Sequence, residues 1–369
     1  MPTIIFKPTE ACNSNCAYCS VVAHKNPKTI TKELFKILIK RVDEYLRNYP
    51  DKRINLVWHG GEPLTLGVDF FKNAIDLINQ YCNNTKKRLT HTLQSNLTLL
   101  NENFIDIFKE LSIRGIGTSF EPLPNIRGLG PQRNSDEYNR KFFKSIKLLE
   151  KHGINWGFIY VVTKKSLKKA KEIFYFCTNF NTQNEFNIHP VDLCNWNKEY
   201  LITPEEFSDF LGEIFPIWYK YRNRFSGVEP FASYLKIYTE NKRMEGCETS
   251  GNCSGMILYI GPEGNVSHCG RFGDINYITY GNIQEKNLQE LLNHSNEKLF
   301  KERSSILVKG ECAECRFWDI CRGGCPVEAY YHYGTIHKKT YWCNYRKIFL
   351  ERYLEPVIGI KKEFYYADC

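Results

Sequence analysis

Nowhere in the 369 residues does an apolar run approach the ~18 residues that a membrane-spanning helix needs, so no membrane segment is expected. The first residues, Met1 to Phe6, lack a basic stretch followed by a long apolar one. No secretory signal is therefore read there, and the cytoplasm is the expected compartment. Internal repeats, low-complexity tracts and long flexible linkers are also missing. These absences sharpen the one excess, which is fifteen cysteines. Cytosolic thiols stay reduced, so a disulfide framework does not account for them, and metal binding does. The remaining composition, 42% hydrophobic and 25% charged, is that of an ordinary globular chain, long enough for one large domain and a smaller one.

The first half alternates strand and helix patterns. Strands are expected at Thr3–Lys7, Arg53–Trp58, Arg88–Leu93, Gly115–Phe120, Ile154–Val162 and Glu185–Val191. Between them lie helical stretches: one capped by Thr31, then Asp69–Tyr81, Asn101–Leu111, Asp136–His152 and Ser166–Cys177. Strands separated by helices imply a parallel sheet, with chemical groups in the loops that follow the strands. The expected fold class is α/β, a partial (β/α)6 barrel spanning residues 1–203. The pattern ends at Thr203-Pro204-Glu205-Glu206, a capping box with proline at the first helical position. A helical bridge is expected at 204–243, a cysteine-rich domain of short strands and helices at 244–345, and a C-terminal helix and tail at 346–369.

Cys12, Cys16 and Cys19 have C-x3-C-x2-C spacing within eight residues. Three thiolates so close can wrap one face of a cubane iron–sulfur cluster and leave the fourth iron open to a cofactor. The alternative is a zinc site with a distant fourth ligand. The motif follows the first strand, Tyr18 precedes its last cysteine, and Gly60-Gly61-Glu62-Pro63 follows the second strand. With these features the chain resembles the radical S-adenosylmethionine (SAM) superfamily. The resemblance implies a [4Fe-4S] cluster on the three cysteines, with SAM chelating its open iron. It implies that Gly60, Gly61, Glu62 and Pro63 bind the SAM amino group, largely through main-chain carbonyls. Gln94, Ser95 and Asn96 after the third strand, and Ser119 after the fourth, fall where the family contacts the SAM ribose or carboxylate. Arg140 is the candidate for the carboxylate, and Tyr18 belongs to the same set.

Eight more cysteines follow in a compact array. Cys247-x5-Cys253 leads, after ten residues, to Gly264 and then Cys269. Cys312-x2-Cys315-x5-Cys321-x3-Cys325 and finally Cys343 complete it. Eight thiolates make two closed sets of four. Two zinc staples are the alternative to two clusters. Gly264 suits a hairpin that brings Cys253 and Cys269 together. The array resembles the SPASM extension of radical SAM enzymes. That resemblance implies two auxiliary [4Fe-4S] clusters, one on Cys247, Cys253, Cys269 and Cys325, the other on Cys312, Cys315, Cys321 and Cys343. Cys82 and Cys177 are read as packing residues; Cys194, just after the sixth strand, is placed either at the barrel mouth or in a bland role, and Cys369 is read as idle. The formal charge of +9 counts cysteines as neutral. Iron-bound thiolates on three clusters would lower it to roughly +4. The basic excess is then a counterweight and a solvated surface, and no nucleic-acid partner is implied.

Closed auxiliary clusters are suited to carry away one electron, so an oxidative outcome is expected. The resemblance is closest to SPASM maturases of ribosomally made precursor peptides. Trp58 through Pro63 and Cys269-Gly270-Arg271-Phe272 look like the crosslinking group, which joins an aromatic ring to a nearby side chain in a cyclophane. Thioether formation, epimerisation and formylglycine formation in a sulfatase are the alternatives, and a non-catalytic zinc module is the remote one. Sulfatase maturases carry an aspartate base after the cysteine matching Cys269; here that residue is Gly270. Glu121 and Pro122 stand where the family commonly has Asp-Gly. Glu121, His189, Asp192 and Asp274 are the candidate bases for the ring proton. A flavodoxin or ferredoxin would supply electrons. The cysteine loop begins within a dozen residues of Met1, leaving no room for a leader-binding domain before it, so a separate leader-binding protein or another surface is expected.

Overall fold

The computed structural model describes residues 1–369 except 20–25, 181, 183–184, 192–196, 241–246, 248–252, 274–276 and 362–369. The chain forms two compact units, the first made of Met1–Phe120, Pro124–Gly157 and Ser254–Lys298, the second of Glu121–Leu123, Phe158–Cys253 and Leu299–Cys369.

The first unit opens with β1 (Thr3–Phe6), α1 (Lys32–Asn48), β2 (Ile54–Trp58), α2 (Gly67–Tyr81), β3 (Leu89–Gln94), α3 (Glu102–Glu110), β4 (Ile113–Ser119) and α4 (Ser135–Lys151). In the second unit follow most of β5 (Trp156–Val162), then α5 (Ala170–Cys177), β6 (Glu185–Pro190), α6 (Pro204–Tyr221), β7 (Gly227–Glu229) and α7 (Phe231–Glu240). The chain then returns to the first unit with β8 (Ile257–Ile260), β9 (Asn265–Ser267) and β10 (Thr279–Asn282). Helices Glu297–Lys309, Pro326–Tyr333 and Cys343–Ile348 carry most of the remaining cysteines of the second unit between and within them.

In the first unit the strands run in the order β10-β9-β8-β1-β2-β3-β4. From β8 to β4 they are parallel, and β8, β9 and β10 are antiparallel neighbours. The parallel register sets Phe6 beside Trp58, Trp58 beside Leu93, and Gln94 beside Gly117. Four strands therefore end side by side, and their loops start from one edge of the sheet. The alternating burial of β1 and β2 places Phe6 and Trp58 in the core, with ring centroids 5.4 Å apart, and Phe35 of α1 lies 5.7 Å from both. Thr31 caps α1, its hydroxyl accepting from Leu34 N at 3.1 Å.

The six expected strands of the alternating half are present. The hairpin expected at Gly264 is formed by β8 and β9; the sequence pattern did not disclose that β8 adds to the parallel sheet on the far side of β1, setting Phe6 beside Ile260. The turn Gly261–Gly264 then reverses the chain into β9, and Gly264 takes the positive φ of 82° that such a turn asks of glycine. In the second unit β5, β6 and β7 are parallel. Thr203 and Glu206 form the reciprocal capping box of α6.

Candidate active site and cluster-binding cysteines

Three loops at the strand ends of the first unit converge on the segment Cys12–Cys19. The residues before it run against Gly60 and Gly61. Gly61 N donates to Thr9 O at 2.9 Å and Glu62 N to Ala11 O at 2.9 Å. A Cβ on Gly61 would stand 2.3 Å from Ala11 O and 2.5 Å from Glu10 O. Gly60, at φ 131°, would put a Cβ 2.5 Å from Thr9 O. Both glycines are there because main chain packs on main chain.

Glu62 is 1% exposed and gathers the neighbouring loops. Its carboxylate accepts from Asn96 N at 2.6 Å, Ser95 Oγ at 2.8 Å and Leu64 N at 3.0 Å. Burial pushes its pKa up to about 7, against the pull of those three donors. Asn96 extends the network toward the cysteines. Its Nδ2 donates to Asn13 Oδ1 and Ser14 Oγ, each at 3.0 Å, and approaches Cys12 Sγ at 3.9 Å. Asn13 Nδ2 in turn donates to Thr98 Oγ1 at 2.8 Å. The Gln94 amide lies over Gly117, where a Cβ would be 2.1 Å from its oxygen. Ser119 ends β4 and is half-buried.

The loop after β4 clamps the cysteine segment from the other side. Ala17 N donates to Ile126 O and Asn15 N to Gly128 O, both at 2.8 Å, and Arg133 Nε donates to Asn15 O at 2.7 Å. Arg127 is buried; its guanidinium donates to the Tyr18 hydroxyl and approaches Cys16 Sγ at 3.7 Å. Sequence reasoning missed Asn13, Arg127 and Arg133, which no local spacing marks. It placed Arg140 at the cofactor; that residue lies exposed on α4.

Cys12, Cys16 and Cys19 carry free thiols. Burial pushes Cys12 up to about 12, opposed by Ser14 N and reinforced by Glu62, Cys16 and Cys19, so Cys12 lies within the field of the other two. Ser14 N donates to Cys12 Sγ at 3.4 Å. N–H donors beside ligand sulfurs, as at Cys12 and Cys16, are what an iron–sulfur cluster asks for, so the donor set fits a cubane. Among the described residues no three His, Cys, Asp or Glu are close enough to hold one ion. The irons of a cubane take one thiolate each, so its ligands need not converge on a point.

Within the second unit Cys312, Cys321, Cys325 and Cys343 are buried and Cys253 and Cys315 half-buried, while Cys247 is exposed. Burial pushes Cys312 up to about 12, and Cys321, Cys343 and Cys315 push it further, so these four form one electrostatic group. Cys269 lies in the first unit. His268 before it is buried, with Nδ1 3.1 Å from the Tyr280 hydroxyl and 3.2 Å from Glu297 Oε1. Glu297 also accepts from Gly255 N at 2.6 Å, which ties the segments after Cys253 and before Cys269 to one carboxylate.

Of the base candidates, Glu121 is buried in the second unit and accepts from Val161 N at 3.0 Å. Burial and then Glu121 raise the pKa of the Tyr160 hydroxyl and of Cys177. His189 lies on β6, paired in register with Val161, and is half-buried. Asp192 and Asp274, like Cys194 and Cys369, lie outside the described residues.

Comparison with known proteins adds to this geometry. Residues 6–177 match the model of the radical SAM superfamily, and residues 252–316 match SPASM, an iron–sulfur cluster-binding domain. A cysteine-type anaerobic sulfatase-maturating enzyme of Clostridium novyi (strain NT) is 25% identical over 99% of this chain and 99% of its own. The solved structure of native anSMEcpe with bound AdoMet and Cp18Cys peptide is 21% identical, covers 97% of this chain and 98% of that one, and superposes with a TM-score of 0.82. Streptococcus suis SuiB bound to S-adenosylmethionine gives 17% identity, 92% and 76% coverage and a TM-score of 0.61. Among the described residues no helix is long and apolar enough to cross a membrane.

Proposed function

This chain is a radical SAM enzyme with a SPASM domain that acts on a peptide or protein, and on that premise we propose that it forms an oxidative carbon–carbon crosslink of cyclophane type in a ribosomally made precursor peptide. When bound, the clusters and SAM supply a 5′-deoxyadenosyl radical and an acceptor for one electron. Cys12, Cys16 and Cys19 hold the SAM-binding cluster. The Gly60–Pro63 turn, Gln94, Ser95, Asn96 and Ser119 hold SAM. The eight later cysteines hold two auxiliary clusters. The crosslinked peptide lacks two hydrogens: one leaves as an atom, the other as a proton to a base and an electron to an acceptor.

The observation that carries the crosslinking reading is Gly270, because the base of formylglycine chemistry stands at that position in the sulfatase maturases. Space does not force a glycine there. A Cβ would meet Ile5 Cγ2 at 3.4 Å and nothing nearer. Formylglycine formation is the second reading, favoured by the full-length similarity to the sulfatase-maturating enzyme. An electron donor such as flavodoxin or ferredoxin and a separate leader-binding protein are the proposed partners.

Anaerobic co-expression with candidate precursor peptides, followed by tandem mass spectrometry, tests the assignment. The expected product has lost two hydrogens, carries no aldehyde and resists fragmentation between the joined residues. A sulfatase peptide should gain an aldehyde only with the Gly270→Asp variant. An aldehyde made by the unaltered enzyme would overturn the crosslinking assignment and establish the second reading.

A further inference from the structure

Arg303 lies in the helix Glu297–Lys309 and is 3% exposed. Its partners among the described residues are main-chain carbonyls: Ile336 O at 2.6 Å, Gly324 O at 2.8 Å, Gly323 O at 2.9 Å and Lys338 O at 2.8 Å. A buried cation needs a compensating charge, and neutral carbonyls orient a guanidinium without cancelling it. The groups that would compensate it, once ionised as cluster ligands, are cysteines: Cys325, Cys253, Cys321 and Cys312. Two of them belong to each proposed auxiliary set.

The carbonyls of Gly323 and Gly324 belong to an unusual turn. Arg322, Gly323 and Gly324 take successive φ values of 49°, 80° and 67°, a left-handed run that L-residues do not hold unaided. This turn separates Cys321 from Cys325, residues assigned to different clusters. It is tightly enclosed, since a Cβ at Gly323 would sit 2.2 Å from Leu307 Cδ1 and one at Gly324 2.3 Å from Thr340 Cγ2. Gly323 O also accepts from Thr340 N at 2.8 Å, and Thr340 O accepts from Cys343 N at 3.1 Å. One side chain thus ties the Cys321–Cys325 turn to the strand of chain that leads into Cys343. Only the planar fork of arginine reaches successive carbonyls in this way; a lysine keeps the charge and loses the geometry.

We propose that Arg303 is a positioning residue common to both auxiliary cysteine sets: it clamps the turn between Cys321 and Cys325 and adds a buried positive charge, alongside that of Arg346, beside the thiolates of both sets. This inference rests on the auxiliary-cluster assignment. Hydrogen bonds and charge near the sulfurs set a cluster's potential, so removing the cation stabilises the oxidised form.

The test uses the full chain, reconstituted anaerobically, as wild type, Arg303→Gln and Arg303→Lys. Iron per chain and redox titration followed by electron paramagnetic resonance are the readouts. Wild type carrying only ~4 irons would defeat the auxiliary-cluster assignment itself, whatever the variants do. With ~12 irons in wild type, Arg303→Gln is expected to fall toward ~4 while still cleaving SAM, with the oxidised-to-reduced ratio of any retained auxiliary clusters raised at least tenfold, 59 mV for one electron. Arg303→Lys is expected to bring the ratio of any retained clusters back to within about threefold of wild type while holding less than about half of the auxiliary iron. Full iron in Arg303→Gln with a ratio within about twofold of wild type overturns the proposal. Should Arg303→Gln not fold, Arg303→Lys decides alone, and full iron in it overturns the proposal.

Discussion

Gly61 and Arg303 show how differently the two cysteine regions are built. Around Cys12, Cys16 and Cys19 the grip is main chain on main chain, with Gly61 pressed onto Glu10 and Ala11 and the loop after β4 bonded along Asn15 and Ala17. The polar hub behind it, Glu62, is an acid whose burial favours its neutral form. In the second unit the grip comes from side chains, and the hub is a guanidinium. On the proposed assignment, the site that would leave one corner open for a cofactor is held from behind by backbone. Sets that would close all their corners would need no such access.

The sharpest break in this comparison comes from the cysteines. Replacing Cys12, Cys16 and Cys19 by alanine should abolish SAM cleavage and remove about a third of the iron. Replacing Cys312, Cys315 and Cys321 should leave SAM cleavage in place and stop product formation. Iron analysis and detection of 5′-deoxyadenosine separate the two cases. Loss of SAM cleavage in the second variant would show that the regions do not work independently.

A smaller break targets the glycines. Gly61→Ala forces a methyl into two carbonyl oxygens and should cost about 3 kcal/mol, with SAM cleavage falling in parallel as the loop moves. Gly270→Ala, whose Cβ meets only ordinary contacts, should cost less than about 1 kcal/mol. Denaturant melts of both variants give the two numbers, and equal costs would refute the claim that Gly61 is fixed by close approach.

What the sequence made legible follows the same division. The cysteine loop and the caps at Thr31 and Thr203 are local signals, readable because their spacing spans only a few residues; the Gly60–Pro63 turn is readable as a turn, although its partners Thr9 and Ala11 lie far back in the chain. The neighbours that tune the sulfurs are not local. Arg127 meets Cys16 from 111 residues away, and Arg303 reaches carbonyls 20 to 35 residues on. No spacing rule announces such pairs. The same applies to β8, whose short apolar run looked like part of a cysteine-rich appendix and instead extends the parallel sheet beside β1. Arg140 lies exposed on α4, a placement its sequence does not disclose because a helical arginine reads alike on either face.

The smallest effect concerns buried bases. His91 of β3 is 4% exposed, and its Nδ1 accepts from Trp58 Nε1 at 3.3 Å. Burial lowers its pKa to about 4, because the charged ring would be stranded in the core and would lose that acceptor. Between this value and the unfolded one near 6.5 the unfolded chain holds the extra proton. Stability therefore rises with pH across the window and is lost as pH falls through it, by about 2 kcal/mol from pH 7 to pH 5. Arg303 offers the contrast: a buried arginine stays protonated throughout this window, so its unit should show no matching loss from that residue. Thermal melts of the wild type and of His91→Gln across pH 5–7 isolate the histidine's share. The variant should be less stable at pH 7 but flatter across the range, and an unchanged slope would show that His91 is not the group that titrates.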